Sequence, residues 1–192
     1  MQSPSQPPEP SDAEAITASL DRPAAFDALF ERHVATVHAF AQRRIGVDLA
    51  EDVTAETFAR AFASRKRFDC SQHSARPWLL GIASNVMRRH WRTERRRLAA
   101  YAKSLNDDRP GSPPTEETAA LAALARLPQR QREVVLLHAW GDLSYDEIAR
   151  ALDVPIGTVR SRLARARHAL THVEGAVRPR PPLNDSPESS HA

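Results

Sequence analysis

The chain has 192 residues, 41% of them hydrophobic and 27% charged, enough for one ordinary domain or two small ones. A formal net charge of +3 excludes a uniformly cationic polymer, and the single cysteine, Cys70, excludes an internal disulfide and a cysteine-based zinc site. No apolar run approaches the roughly 20 residues of a membrane span, and the acidic, proline-rich start is unlike a secretory signal, so a cytoplasmic protein without membrane insertion is expected.

Residues 1–21 are polar, contain four prolines and are expected to form a disordered tail. From Ala24 to Arg44, the residues Phe26, Leu29, Phe30, Val34, Val37, Phe40 and Ala41 recur at helical spacing. A second helix is expected from about Leu49 to Arg65, led by Leu49, Val53, Phe58 and Phe62. A polar loop follows, Arg67–Ala75, carrying Phe68. A third helix begins near Pro77 and passes through Trp78, Ile82 and Val86 into an arginine run, with six arginines and one glutamate between Arg88 and Arg97. Residues 22–98 thus read as one small helical domain.

The composition then changes. Asn106–Glu117 is rich in proline, acid and small residues and lacks apolar periodicity, which places a flexible linker at 99–117. Beyond it Leu121, Leu124 and Leu127 mark a helix. Pro128 starts another, carrying Val134, Val135 and Leu137, and Gly141 stops it. The stretch Leu143–Leu170 carries the strongest signal in the chain. Ser144 and Glu147 form a capping box, and Ile148, Ala149 and Leu152 share one face. Asp153 occupies a turn position where a left-handed backbone is needed, Val154 plugs the turn, and Pro155 opens the next helix. On that second helix Ile156, Val159, Leu163, Ala166 and Leu170 form the core stripe. Gly157, Thr158, Ser161, Arg165 and His168 lie opposite, with Arg160, Arg162 and Arg167 on the flanks. Two amphipathic helices at this spacing make a helix-turn-helix, and a second helix bearing arginines suits a DNA major groove. Residues 118–174 form this second domain, and 175–192 are a proline- and serine-rich tail. No strand alternation occurs, so the expected fold is all-α, with two small helical domains joined by a flexible linker.

Two rival functions are tested by the same residues. A dimeric operator-binding regulator would use the helix-turn-helix, but it does not need the second basic cluster at Arg88–Arg97. A helical metal hydrolase would draw on His33, His38, Asp52 and Glu56. However, His33 and His38 are five residues apart, about 140° around a helix, and neither an HExxH spacing nor a phosphate loop is present. No enzyme activity, metal or cofactor is expected.

Taken together, the segments AFDALFERHVATVHAFAQRRI, AEDVTAETFARAF, RFDCSQHSARPWLLGIASNVMRRHWR and LARLPQRQREVVLLHAWGDLSYDEIARALDVPIGTVRSRLARARHAL resemble regions two and four of the extracytoplasmic-function (ECF) sigma factors of the sigma-70 family. The resemblance covers about two thirds of the chain. It implies binding to core RNA polymerase and to promoter DNA, duplex and single-stranded, with an anti-sigma factor as a further partner and nucleoid association when polymerase is bound. By position it implies that Thr158, Arg160, Ser161, Arg162, Ala164 and Arg165 meet the upstream (minus-thirty-five) element. Phe68, Asp69, Ser71, Asn85, Arg88, Arg89 and Arg92 would meet the unwound downstream (minus-ten) element, a set suited to stacking, base-edge reading and backbone contact. Asp52, Glu56 and Phe58 would meet the polymerase clamp. Read from periodicity alone, Phe58, Phe62, Trp78 and Ile82 are core residues, and Asp52 with Glu56 is a solvated acidic pair. Ala55 stands where the family usually has glutamine.

Overall fold

The computed structural model describes residues 10–107 and 116–171, and all regular structure among them is helical. The elements are α1 (Asp12–Ala18), α2 (Asp27–Ile45), α3 (Val47–Ser64), α4 (Arg76–Met87), α5 (Trp91–Asp107), α6 (Glu116–Arg126), α7 (Gln129–Ala139), α8 (Tyr145–Leu152) and α9 (Ile156–Thr171), with short 3-10 turns before α2 and on both sides of α4.

Helix α1 corrects the expectation of a disordered tail over 1–21, whose residues 1–9 lie outside the described set. Ser11 caps α1 and Glu14 returns the bond to the Ser11 backbone, the same capping box that starts α8 at Ser144 and Glu147. Ala15 and Ile16 are then buried on the core. Helices α2, α3 and α4 bury Leu29, Val37, Phe40, Val53, Phe58, Leu79, Leu80 and Val86 against one another. Gly46 turns α2 into α3 at φ +99°, a backbone region that favours glycine.

The expected linker is partly helical. Residues 99–107 continue α5, whose Leu98 and Ala102 pack on Leu121 and Ala125 of α6; residues 108–115 lie outside the described set, as do residues 172–192, which include the C-terminal tail. Helices α7, α8 and α9 enclose Val134, Leu137, Leu143, Ile148, Val159 and Leu163. Asp153 ends α8 at φ 51° and ψ 54°, and the Val154 N–H reaches back to the Ala149 carbonyl at 3.0 Å, closing the helix end as the sequence led us to expect.

The two halves share one core. Helix α4 crosses α8 so closely that a Cβ on Gly81 would sit 2.2 Å from the Ala151 carbonyl oxygen. Arg76 Nη2 donates to the Gly141 carbonyl at 2.5 Å across the same seam. Glu94 of α5, 2% exposed, accepts Arg44 Nε of α2 at 2.5 Å and Arg132 Nε of α7 at 2.9 Å. Arg132 is fully buried and also donates to the Leu127 carbonyl at 2.9 Å. This ionic triad ties the first half to the second. Neither spacing nor periodicity reveals it, because Glu94 and Arg132 are 38 residues apart.

Candidate nucleic-acid and polymerase interface

Helix α9 is seated on the core by Val159, Leu163 and Ala166, which fixes the direction of its opposite side. Arg160, Ala164 and Arg165 are exposed, while Thr158, Ser161 and Arg162 are half-buried. Gly157 has nothing within 4 Å of where a side chain would begin, so the start of the helix stands open to a partner. Ser161 Oγ donates to the Thr158 carbonyl at 3.0 Å. Arg167 is committed inward: its Nη2 donates to Tyr145 Oη at 2.6 Å and locks α9 to α8. All six residues expected at the upstream element therefore lie on one helix.

The second cluster gathers around the loop before α4 and the end of that helix. Asp69 organises the loop, its Oδ1 accepting the Ser71 backbone N–H at 3.0 Å and Ser71 Oγ at 2.7 Å, and its Oδ2 accepting Gln72 Nε2 at 2.7 Å. These bonds, Gln72 foremost, hold its carboxyl below the usual range. Asn85 is exposed, and its Oδ1 accepts Arg88 Nη2 at 2.5 Å. Arg88, Arg89 and Arg92 are exposed beside it.

Two aromatics expected at these surfaces are buried. Phe68 is only 8% exposed and packs on Trp78 at 5.1 Å between ring centres, so its ring anchors the loop from below and is not presented to a base. Phe58 is buried and meets Phe30 edge-on at 4.8 Å, which makes it a core residue, as its periodicity indicated. Beside these two aromatics, the expected residues Asp69 and Ser71 on the loop and Asp52 on α3 are exposed.

Glu56 joins the two expected surfaces. Its Oε2 accepts Arg89 Nη2 at 2.5 Å and its Oε1 accepts Arg60 Nη2 at 2.6 Å. Desolvation pushes its carboxyl up, but the guanidiniums of Arg89 and Arg60 prevail and hold it below the ordinary glutamate range. Glu133 of α7 goes the other way, raised by burial despite the cations Arg44, Arg88 and Arg162 around it.

The described residues form an all-helical protein that exposes arginines in two places, on the second helix of a helix-turn-helix and at the end of α4. Residues 29–97 match Sigma-70 region 2, and residues 117–170 match Sigma-70, region 4. The chain is 36% identical over 161 residues to the ECF RNA polymerase sigma factor SigC of Mycobacterium tuberculosis, a match covering 81% of this chain and 86% of that protein. It is 34% identical over 151 residues to the ECF RNA polymerase sigma factor EcfG of Rhodopseudomonas palustris, covering 74% and 83%. Among solved structures, CnrH in complex with the cytosolic domain of CnrY superposes with a TM-score of 0.61 at 29% identity, over 84% of this chain and 96% of that one. RpoE of Bartonella quintana, in complex with the anti-sigma factor NepR, shares the fold with a TM-score of 0.51 at 24% identity. The chain belongs to the sigma-70 family and to its extracytoplasmic-function group. Members of this family are transcription initiation factors that join RNA polymerase to promoter DNA. Among the described residues no helix is long and apolar enough to cross a membrane.

Proposed function

We propose that this chain confers promoter selectivity on core RNA polymerase without performing covalent chemistry. Its α9 would read the upstream element in the major groove, and its loop 69–71 with the end of α4 would hold the unwound downstream strand. The observation that carries this reading is the presence of exposed arginines in two places on one chain, one set on the second helix of a helix-turn-helix and one beside a loop and an exposed amide. Asp52 and Glu56 on α3 are assigned to the polymerase clamp, with Glu56 passing its influence to Arg89 through their ion pair. The protein would act in the cytoplasm and on the nucleoid once polymerase is bound. An anti-sigma factor is proposed as a further partner, on the strength of the similar fold of RpoE in its complex with the anti-sigma factor NepR.

In the structure α4 touches α8, so the two surfaces proposed to read DNA belong to one packed body. Promoter elements about 25 base pairs apart are separated by about 85 Å at 3.4 Å per base pair. Engagement of both elements at once would therefore require the two surfaces to move apart. The test is permanganate footprinting of promoter DNA with core polymerase and either wild-type or Asn85→Ala protein. The variant is expected to bind duplex upstream DNA as the wild type does and to open the downstream strand less. Loss of both activities together would contradict the assignment of Asn85.

A further inference from the structure

Helix α1 lies outside the stretch that matches region 2, yet its hydrogen bonds converge on the downstream loop. Asp12, its first residue, is 4% exposed. The Asp12 Oδ2 accepts the Ala75 backbone N–H at 2.7 Å, His33 Nε2 at 2.8 Å and Ser74 Oγ at 3.4 Å. Its Oδ1 accepts one amine of the Arg32 guanidinium, whose other amine donates to the Pro10 carbonyl at 2.7 Å. Ala75 is the N-cap of α4 and has no side-chain oxygen of its own to offer. A carboxylate from another helix thus satisfies a backbone donor there and sets negative charge against the positive end of the α4 dipole.

A second tie runs from the other end of α1, where Thr17 Oγ1 lies 3.5 Å from Cys70 Sγ. Together with Phe68 on Trp78, these contacts fasten the segment 68–75 at its start, its middle and its end. The freely exposed part between them holds Asp69 and Ser71, and α4 carries Asn85 rigidly from the fixed end. Flipping a base out of its stack costs a few kcal/mol, and a contact that is already shaped when the base arrives loses least of that to ordering.

We propose that Asp12 is a positioning residue for downstream-element recognition, and that α1 is a working part of the reader that sets loop 68–75 against Asn85. The proposal rests on the assignment of that loop and Asn85 to the downstream element. Asp12 reads no base itself. It fixes the distance between the two groups that do.

The test uses the full-length chain assembled with bacterial core polymerase. The probes are single-stranded oligonucleotides carrying the non-template strand of a minus-ten element, with each of the four bases in turn at the captured position, and the matching upstream duplex. The wild type should prefer one base by about 5–150-fold, the range a single well-read position supports. Asp12→Ala should shrink that preference to within about threefold, while leaving upstream duplex binding and core assembly unchanged. Asp12→Asn, which keeps an acceptor for the Ala75 N–H, should retain an intermediate preference, and Thr17→Val should reduce it less than Asp12→Ala. An undiminished base preference in Asp12→Ala overturns the proposal. So does an equal loss of upstream binding and core assembly, because Asp12 would then only maintain the fold. A wild-type protein with no base preference at any position would refute the loop assignment itself, and that result is seen before any variant is made.

Discussion

Replacing Glu94 by alanine removes the carboxylate that is ion-paired with two buried guanidiniums. Arg44 is 4% exposed and Arg132 fully buried, and both donate to Glu94 through Nε, at 2.5 and 2.9 Å. Arg44 keeps a bond to Ser84 Oγ at 3.1 Å and Arg132 keeps the Leu127 carbonyl, so neither cation is stranded completely. Deleting one member of a buried pair costs about 3–5 kcal/mol, because the opposite charge stays desolvated without compensation. For a chain of this length, each kcal/mol lowers the melting temperature by about 2–4 °C, so a fall of roughly 6–20 °C is expected in thermal unfolding followed by circular dichroism. A double-mutant cycle of Glu94→Ala and Arg132→Ala isolates the bond that crosses between the halves, and its coupling energy should lie between about 1 and 3 kcal/mol. The triple replacement Arg44→Met, Glu94→Leu, Arg132→Met removes all three charges and should be near neutral or stabilising. A coupling below about 0.5 kcal/mol, with a fall in melting temperature no greater than that of a surface substitution, would show that this triad does not hold the halves together.

Three further outcomes follow from single residues. Arg165→Ala should weaken upstream duplex binding by about 1–3 kcal/mol in fluorescence anisotropy if the guanidinium reads a base edge, and an equal loss on scrambled duplex would make it a phosphate contact instead. Asp153→Gly should stabilise the protein by about 0.5–1 kcal/mol in urea titration, because its left-handed backbone is strained for aspartate and free for glycine; destabilisation would show that the side chain contributes more than its backbone costs. Burial pushes the Asp12 carboxyl up, but His33, the Ala75 N–H and Arg32 outweigh it and hold the group well below the ordinary aspartate range. A depressed folded-state value means stability that is present above the unfolded pKa of about 4 and lost as pH falls toward the folded value. The stability gap between wild type and Asp12→Asn should therefore be full at neutral pH and narrow below about pH 4, and a gap independent of pH would contradict the charged pairing.

Helical periodicity located α2, α3, α4, α8 and α9, since each presents a regular apolar stripe to the core. The turn at Asp153 was also evident from the sequence, because few residues other than glycine, asparagine and aspartate tolerate its backbone. Helix α1 is not legible from periodicity, although Ser11 and Glu14 repeat the capping box of Ser144 and Glu147. The surrounding prolines and acids outweighed that signal, and the partner that buries Asp12 lies more than 60 residues away. The boundary of α5 was misplaced for a similar reason: Leu98 and Ala102 become a core face only once α6 packs on them. At the candidate site, the exposed α9 residues followed from the helical wheel. The inward turn of Phe68 did not, because a loop has no periodicity from which to infer burial.

Whether this chain directs polymerase to promoters is decided by in-vitro transcription from a randomised promoter library. Bacterial core polymerase would be used with and without the purified full-length protein. Transcripts are expected to start at defined sites only when the protein is present, with a shared upstream and downstream motif. Tight binding to duplex DNA without polymerase, and no initiation in its presence, would contradict that role.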